Sequence, residues 1–384
     1  MGVIVAPEEF RSKTRFGPEE LLACGKLPGA LLHPFHEITR LSWDSENKSG
    51  RIEAVRHNRP GEWFYACHFM GDPVMPGCWG VDAVWQALRF FAAWRGLPDC
   101  GKTMGMEGVA FFGQIRPWDD KVVYAVDVTA VEESDGEYML TGKAAVSVDG
   151  VPVYSIASAQ VGTAFFEAEP GVKPEAFSPA PEAPLERRLS WEEFSARESL
   201  TSSEVLALSQ GTLVKPGNAE FGLLPSGLML EVERVHRLSW DQAAGEGRIV
   251  ASKRNSPLEW YYTMNGATKP AALTIDAVWQ LLGLFLTWKG NAGTGRALGF
   301  ERVEVFEAIG PQAREIFYEI RILKFARNEA TGDASVRADA RVFVDGRLAL
   351  TCANANVGCH GNIRYSDYPI RSEMGFGGKL RKPA

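Results

Sequence analysis

The sequence predicts an α+β fold built twice in one chain, each copy an antiparallel sheet around one long apolar helix. Three observations carry this. The chain repeats itself: RLSWDSENKSGRI from Arg40 returns as RLSWDQAAGEGRI from Arg237, and DAVWQ from Asp82 returns from Asp276. Each copy holds one helix-length run, AVWQALRFFAAW or AVWQLLGLFLTW, that is apolar on nearly every face and so must be buried. Closely spaced β-rich runs surround each helix, as in a meander.

Bulk properties narrow the class. A length of 384 residues fits two units. The net charge of -7 comes with no basic stripe, which excludes nucleic acid as a main partner. Cys24, Cys67, Cys78, Cys100, Cys352 and Cys359 form no CxxC pair and read as free thiols in a reducing compartment. The start, MGVIVAPEEFRSK, lacks the basic stretch and apolar core of a signal peptide, and Ala6 breaks a myristoylation pattern. The longest apolar segments, Val81–Trp94 and Leu273–Trp288, each contain an Asp and a Gln, so they read as core helices rather than membrane spans. A soluble cytoplasmic protein without nucleic-acid or membrane partners is expected.

In chain order, residues 10–25 suggest a short amphipathic helix. Ile38–Trp43 and Gly50–Arg56 suggest a hairpin across DSENKSG. A buried helix follows from about Gly80 to Arg95, stopped by Gly96-Leu97-Pro98. Strands are then expected at Thr103–Ile115, Lys121–Val131, Tyr138–Val148 and Val151–Gly162, the last two joined at Asp149-Gly150. Glu167–Arg188 holds five prolines and no periodicity, which marks an extended linker. The first half then begins again. The offset between copies is 197 residues at Arg40/Arg237, 194 at Asp82/Asp276 and 196 at Val148/Val344, a duplication with small loop indels. The expected division is a first domain over 1–166, a linker over 167–190, a second domain over 191–362 and a tail over 363–384. Two such sheets can join edges and bury both, so a pseudo-twofold pair is expected.

Chemistry concentrates in WFYACHFMGDPVMPGCWGVDAVWQ, residues 63–86. A histidine, His68, sits in a Gly/Pro-rich loop leading to a helix N-terminus at Gly77-Cys78, with Asp82 just inside. A base, a carboxyl acid and free backbone amides suit proton transfer beside a polarised carbonyl. The i,i+4 spacing puts Asp82 with Gln86, and Asp276 with Gln280, on one helix face. Cys78 is more simply a small residue packed at the helix start than a nucleophile. Cys67-His68 and Cys359-His360 lack metal-ligand spacing, and no metal site is expected. His33, His36 and His236 belong to no visible constellation. Trp79, Trp85, Phe90, Phe91 and Trp94 read mainly as helix packing, with some lining any tunnel beside the helix. The basic tail residues Lys379, Arg381 and Lys382 read as solvated.

The segment CHFMGDPVMPGCWGVDAVWQ closely resembles the active-site segment of the β-hydroxydecanoyl-type acyl-carrier-protein dehydratases, the FabA-like family. The resemblance is strong over 10–165 and weaker over 194–360. Its tandem form resembles the double-hot-dog dehydratase units of polyketide and polyunsaturated fatty-acid synthases. It implies a double hot-dog fold, two antiparallel sheets each wrapped on a central helix. It also implies dehydration of a 3-hydroxyacyl thioester to the trans-2-enoyl thioester, with no cofactor. The substrate would ride on the phosphopantetheine arm of an acyl carrier protein. Acyl carrier protein and other synthase domains are the implied partners, and further dimerisation is left open.

The resemblance makes His68 the base and Gly77 the carbonyl-binding amide, with Cys78 and Gln280 beside the substrate. In single-domain relatives each site takes its histidine from one subunit and its aspartate from the other. Here that implies His68 against Asp276 as acid, and Asp82 in a degenerate second site. At the 197 offset His68 falls on Asn265, or on Tyr262 if the three-residue deletion lies earlier; neither is a histidine. Ala271-Ala272 replaces Gly77-Cys78 there. One working site per chain is expected. Trans-2 to cis-3 isomerisation alongside dehydration, and a non-catalytic acyl-binding scaffold module, are the alternatives.

Overall fold

The computed structural model describes residues 7–361, apart from 25–26, 28–31, 99–100, 178–181, 216–220 and 266. The chain opens with two short helices, α1 (Pro7–Ser12) and α2 (Pro18–Ala23), where one helix over 10–25 was expected. The break lies between them because Phe16 is drawn out to bridge Ile38 in a β-type pairing. A hairpin, β1 (Glu37–Asp44) and β2 (Ser49–His57), leads to the loop carrying His68 and then to the long helix α3 (Gly77–Arg95). Four strands complete the half: β3 (Lys102–Phe111), β4 (Lys121–Ser134), β5 (Glu137–Val148) and β6 (Val151–Gly162). Asp149 and Gly150 both have positive φ, the turn that two-residue hairpins favour.

The second half repeats this plan after two small helices, α4 (Trp191–Ser195) and α5 (Ser202–Ser209), each opened by a capping box. Its hairpin is β7 (Arg234–Asp241) and β8 (Glu246–Arg254), followed by α6 (Trp260–Asn265) and the long helix α7 (Ala271–Trp288). Then come β9 (Thr294–Val305), β10 (Glu315–Arg327), β11 (Ala334–Val344) and β12 (Arg347–His360).

The two expected sheets are one. All twelve strands form a single antiparallel sheet in the order β1-β2-β4-β5-β6-β3-β9-β12-β11-β10-β8-β7. The join is β3 on β9, with Val109 opposite Phe300 and Ala110 opposite Gly299. Backbones approach so closely there that a Cβ on Gly299 would lie 1.9 Å from the Val109 carbonyl oxygen, and its φ of +130 suits only glycine. Pairing the two edges satisfies backbone groups that either half alone would expose.

Each half wraps its own helix. α3 touches β2, β3, β4, β5 and β6, and α7 touches β9, β11 and β12. The helices also touch each other, and one apolar cluster runs through both halves. Burying a large apolar side chain stabilises by about 2 kcal/mol, so packing rather than propensity holds these helices in place. Trp85 Nε1 donates to the Gly105 carbonyl and Trp279 Nε1 to the Gly299 carbonyl, at 3.0 and 3.3 Å, tying each helix to a strand of the join.

The proline-rich segment forms no helix or strand among its described residues, yet it is strapped to the sheet. Phe177 stacks on Phe317 with ring centroids 4.7 Å apart, and Glu175 pairs with Arg237 and Arg248 at 3.1 and 2.7 Å. The tail lysines and arginine, and Cys100, lie outside the described residues.

Candidate active site

α3 and α7 are each entered through a proline, Pro76 or Pro270, and neither N-terminus receives a side-chain cap. Trp79 N turns back to the Pro76 carbonyl at 3.1 Å, while the Gly77 and Cys78 amides ahead of it receive no side-chain cap, and the helix dipole favours a partial negative charge there. Gly77, the first residue of α3, lines a cavity of about 100 Å³. The same cavity is lined by His68 from the first half and by Asp276, Trp279, Gln280 and Arg296 from the second. Most of its remaining wall is apolar, including Met75, Phe111, Ile115 and Leu224.

His68 is 7% exposed, and its Nδ1 lies 2.9 Å from the Val74 carbonyl oxygen. A carbonyl only accepts, so Nδ1 carries the hydrogen and the neutral ring keeps a lone pair on Nε2. The same loop returns a backbone bond from Val74 N to His68 O at 2.9 Å, closing around the ring. Burial, the largest influence, pushes the imidazole pKa down to about 4, although the Val74 carbonyl opposes it. His68 is therefore neutral at physiological pH.

Asp276 is 4% exposed in the second turn of α7. Gln280 Nε2 donates to its Oδ2 at 2.6 Å and to the Met229 carbonyl at 2.7 Å, while Gln280 Oε1 accepts from Glu231 N at 3.0 Å. Both ends of the amide are engaged, so Gln280 fixes the carboxyl rather than offering a free group to a ligand. Burial pushes the Asp276 pKa up to about 6, with the Gln280 bond opposing. Cys78 is fully buried, does not line the cavity, and lies within hydrogen-bonding reach of Asp276 across the two halves. Its thiol pKa is driven well up, first by burial and then by Asp276, which leaves no thiolate to act as nucleophile.

Asp82 sits apart from this site. It lines a second, more polar cavity of about 300 Å³ with Gln86, Arg89, Lys102, Lys269 and Thr274. Burial lifts its pKa to about 6, as for Asp276, and Gln86 Nε2 donates to it in the same way. The two aspartates are electrostatic twins that differ in what faces them. No histidine lines the second cavity among the described residues. Tyr262 is the counterpart of Tyr65: each hydroxyl donates to an asparagine, Asn255 or Asn58, at 2.8 Å. That leaves Asn265, the last residue of α6, as the position 197 after His68; its side chain is outside the described part.

Trp79, Trp85, Phe90, Phe91 and Trp94 do not line the first cavity; its aromatic wall is Phe69, Phe111, Tyr154 and Trp279. The reason is Gly80, which faces the cavity side of α3 and lets Tyr154 close in; a Cβ there would lie 2.0 Å from the phenol oxygen. Tyr154 and Arg296 reach the site from strands remote in sequence, and no local motif announces them. His33, His36 and His236 line neither cavity. No group of three His, Cys, Asp or Glu able to hold a metal occurs among the described residues.

A neutral imidazole, a carboxyl of raised pKa and uncapped amides around one largely apolar cavity make an acid–base site suited to moving protons beside a carbonyl. Residues 27–157 and 224–353 each match the model of the FabA-like domain. The chain therefore belongs to the FabA-like family, with its domain present twice. Among solved structures it is similar to the dehydratase domain from the CurJ module of the curacin polyketide synthase, at 13% identity and a TM-score of 0.47 over 87% of this chain and 100% of that one. It is also similar to the dehydratase domain of a mycocerosic acid synthase-like polyketide synthase, at 15% identity and a TM-score of 0.49 over 83% and 94%. A third similar structure is a trans-AT polyketide synthase dehydratase domain from Brevibacillus brevis, at 12% identity and a TM-score of 0.45 over 86% and 98%.

Proposed function

We propose that this protein dehydrates 3-hydroxyacyl thioesters carried by an acyl carrier protein, giving trans-2-enoyl thioesters at one active site built from both halves. The observation that carries this is the convergence of His68, Gly77 and Asp276 on one cavity. In the reaction the thioester carbonyl accepts from the Gly77 N–H, which makes the C2 proton more acidic. His68 Nε2 takes that proton, and the C2–H electron pair forms the C2=C3 bond. The C3–O bond breaks as protonated Asp276 gives its proton to the departing hydroxyl, which leaves as water. The imidazolium and carboxylate that remain regain their starting states by net transfer of one proton from His68 to Asp276. No redox partner or cofactor enters the balance.

The site's resting protonation favours this direction of use. With His68 near 4 and Asp276 near 6, the proton resides on the aspartate while the histidine stays neutral between about pH 4 and about pH 6, and the protonated aspartate becomes the minority form above that. The second cavity has the acid and a helix N-terminus but no histidine among its described lining residues, so no turnover is expected there. The test is incubation with a 3-hydroxyacyl pantetheine thioester and separation of the products. A trans-2-enoyl product is expected, and accompanying cis-3 product would add isomerisation to the same site. Failure to form any enoyl product would overturn the reading in favour of a non-catalytic acyl-binding module.

A further inference from the structure

The loop that carries His68 is held from the other half of the molecule. Arg296, on β9, makes a bidentate pair with Asp72: Nη1 donates to Oδ2 at 2.7 Å and Nη2 to Oδ1 at 2.9 Å. Its Nε donates to Gln114 Oε1 at 2.5 Å, and Nη1 also reaches the Gly295 carbonyl at 2.8 Å. The Arg296 side chain is only 10% exposed, so this pair is poorly screened and geometrically defined. Asp72 in turn closes the turn that follows His68: Phe69 N donates to Asp72 O at 3.0 Å and Asp72 N to Phe69 O at 3.1 Å.

The degenerate half shows what happens without this arrangement. Trp85 and Trp279 mark Gly105 and Gly299 as counterparts, which makes Lys102 the counterpart of Arg296, 194 residues earlier. Lys102 lines the second cavity as Arg296 lines the first. Its amine lies 5.3 Å from the Phe165 ring centre. The segment 263–270, TMNGATKP, contains no acid for such a cation to grip. Of the two counterparts, Arg296 is the one whose facing loop supplies a carboxylate, and it stands on the side that kept its histidine.

We infer that Arg296 is a positioning residue for the His68 base, clamping the base's loop through Asp72 from the opposite half of the chain. The inference rests on the reading of His68 as the base. It adds a second cross-half dependence, separate from the supply of Asp276. The charged groups around His68 are Asp72 on its own loop, Arg296 on β9 and Asp276 on α7. Arg296 lowers the imidazole pKa and Asp72 raises it.

The experiment compares R296Q, D72N and the double variant in two readouts on the full chain. Turnover of a 3-hydroxyacyl pantetheine thioester should fall about tenfold or more in kcat in either single variant with KM little changed, and the double variant should be no worse than the singles. Histidine NMR titration without substrate should show the His68 resonance displaced in both variants, with its pKa moved up in R296Q and down in D72N. R296K should retain part of the turnover that R296Q loses. Losses that multiply in the double variant, or an R296Q protein with wild-type kcat, would overturn the proposal. An unshifted His68 resonance in R296Q would overturn it even if the protein proved to have no dehydratase activity, because that readout needs no substrate.

Discussion

His68 and Asp276 illustrate how burial sets roles. Desolvation disfavours charge on both, which pushes the base down and the acid up, to about 4 and about 6. The dehydration direction needs a neutral imidazole and a protonated carboxyl. In the free enzyme kcat/KM should therefore rise as pH climbs through about 4 and fall as it passes about 6. An apolar acyl chain in the cavity removes more water, so the falling limb of kcat should lie at higher pH than that of kcat/KM. A pH–rate series on the free chain checks both; a kcat/KM still rising between pH 6 and 8 contradicts the assignment of Asp276 as the acid. At this scale the motif residues were legible because they lie within 19 positions of one another or recur in the repeat. Arg296 and Tyr154 were not, since an arginine or tyrosine on a strand has no meaning until the sheet brings it to the cavity.

The long helices were legible from their apolar runs, though α3 begins at Gly77 rather than Gly80. The three extra residues matter because they put Gly77 and Cys78 inside the first turn. Gly80 reverses an ordinary rule of helix stability. Replacing a helix-interior glycine by alanine normally stabilises by about 1 kcal/mol. Here the new Cβ would meet the Tyr154 hydroxyl, so Gly80→Ala should destabilise by about 1–3 kcal/mol through overpacking. In the second half, Thr274 and Leu350 stand at these two positions by the 194 and 196 offsets. Shortening the facing residue should therefore relieve the clash, and G80A/Y154L should recover most of the loss. Urea denaturation of both variants decides it; a G80A protein more stable than wild type would show that Tyr154 does not close on the helix. The linker has no helix or strand among its described residues, and composition could not show Phe177 and Glu175 fastening it to the second half.

At the scale of the whole molecule, duplication gives two related cavities, one lined by a histidine and one with no histidine among its described lining residues. Joining β3 to β9 makes one twelve-stranded sheet and lays α3 against α7, so each cavity is walled by both halves. Asp82 and Gln86 keep the side-chain bond that joins Asp276 and Gln280, so the fold around the second cavity does not depend on a histidine facing it. The repeat itself was plain in the sequence; the pairing of His68 with Asp276 rather than Asp82 came only from the family resemblance, because Asp82 is the nearer in sequence and carries the same motif. The central claim is that the working site crosses between halves. It is tested most directly by measuring turnover of a 3-hydroxyacyl pantetheine thioester by the Asp276→Asn and Asp82→Asn variants side by side. The account predicts a loss of about 10²-fold or more for Asp276→Asn and wild-type turnover for Asp82→Asn. Loss of turnover in Asp82→Asn with activity retained in Asp276→Asn would contradict it.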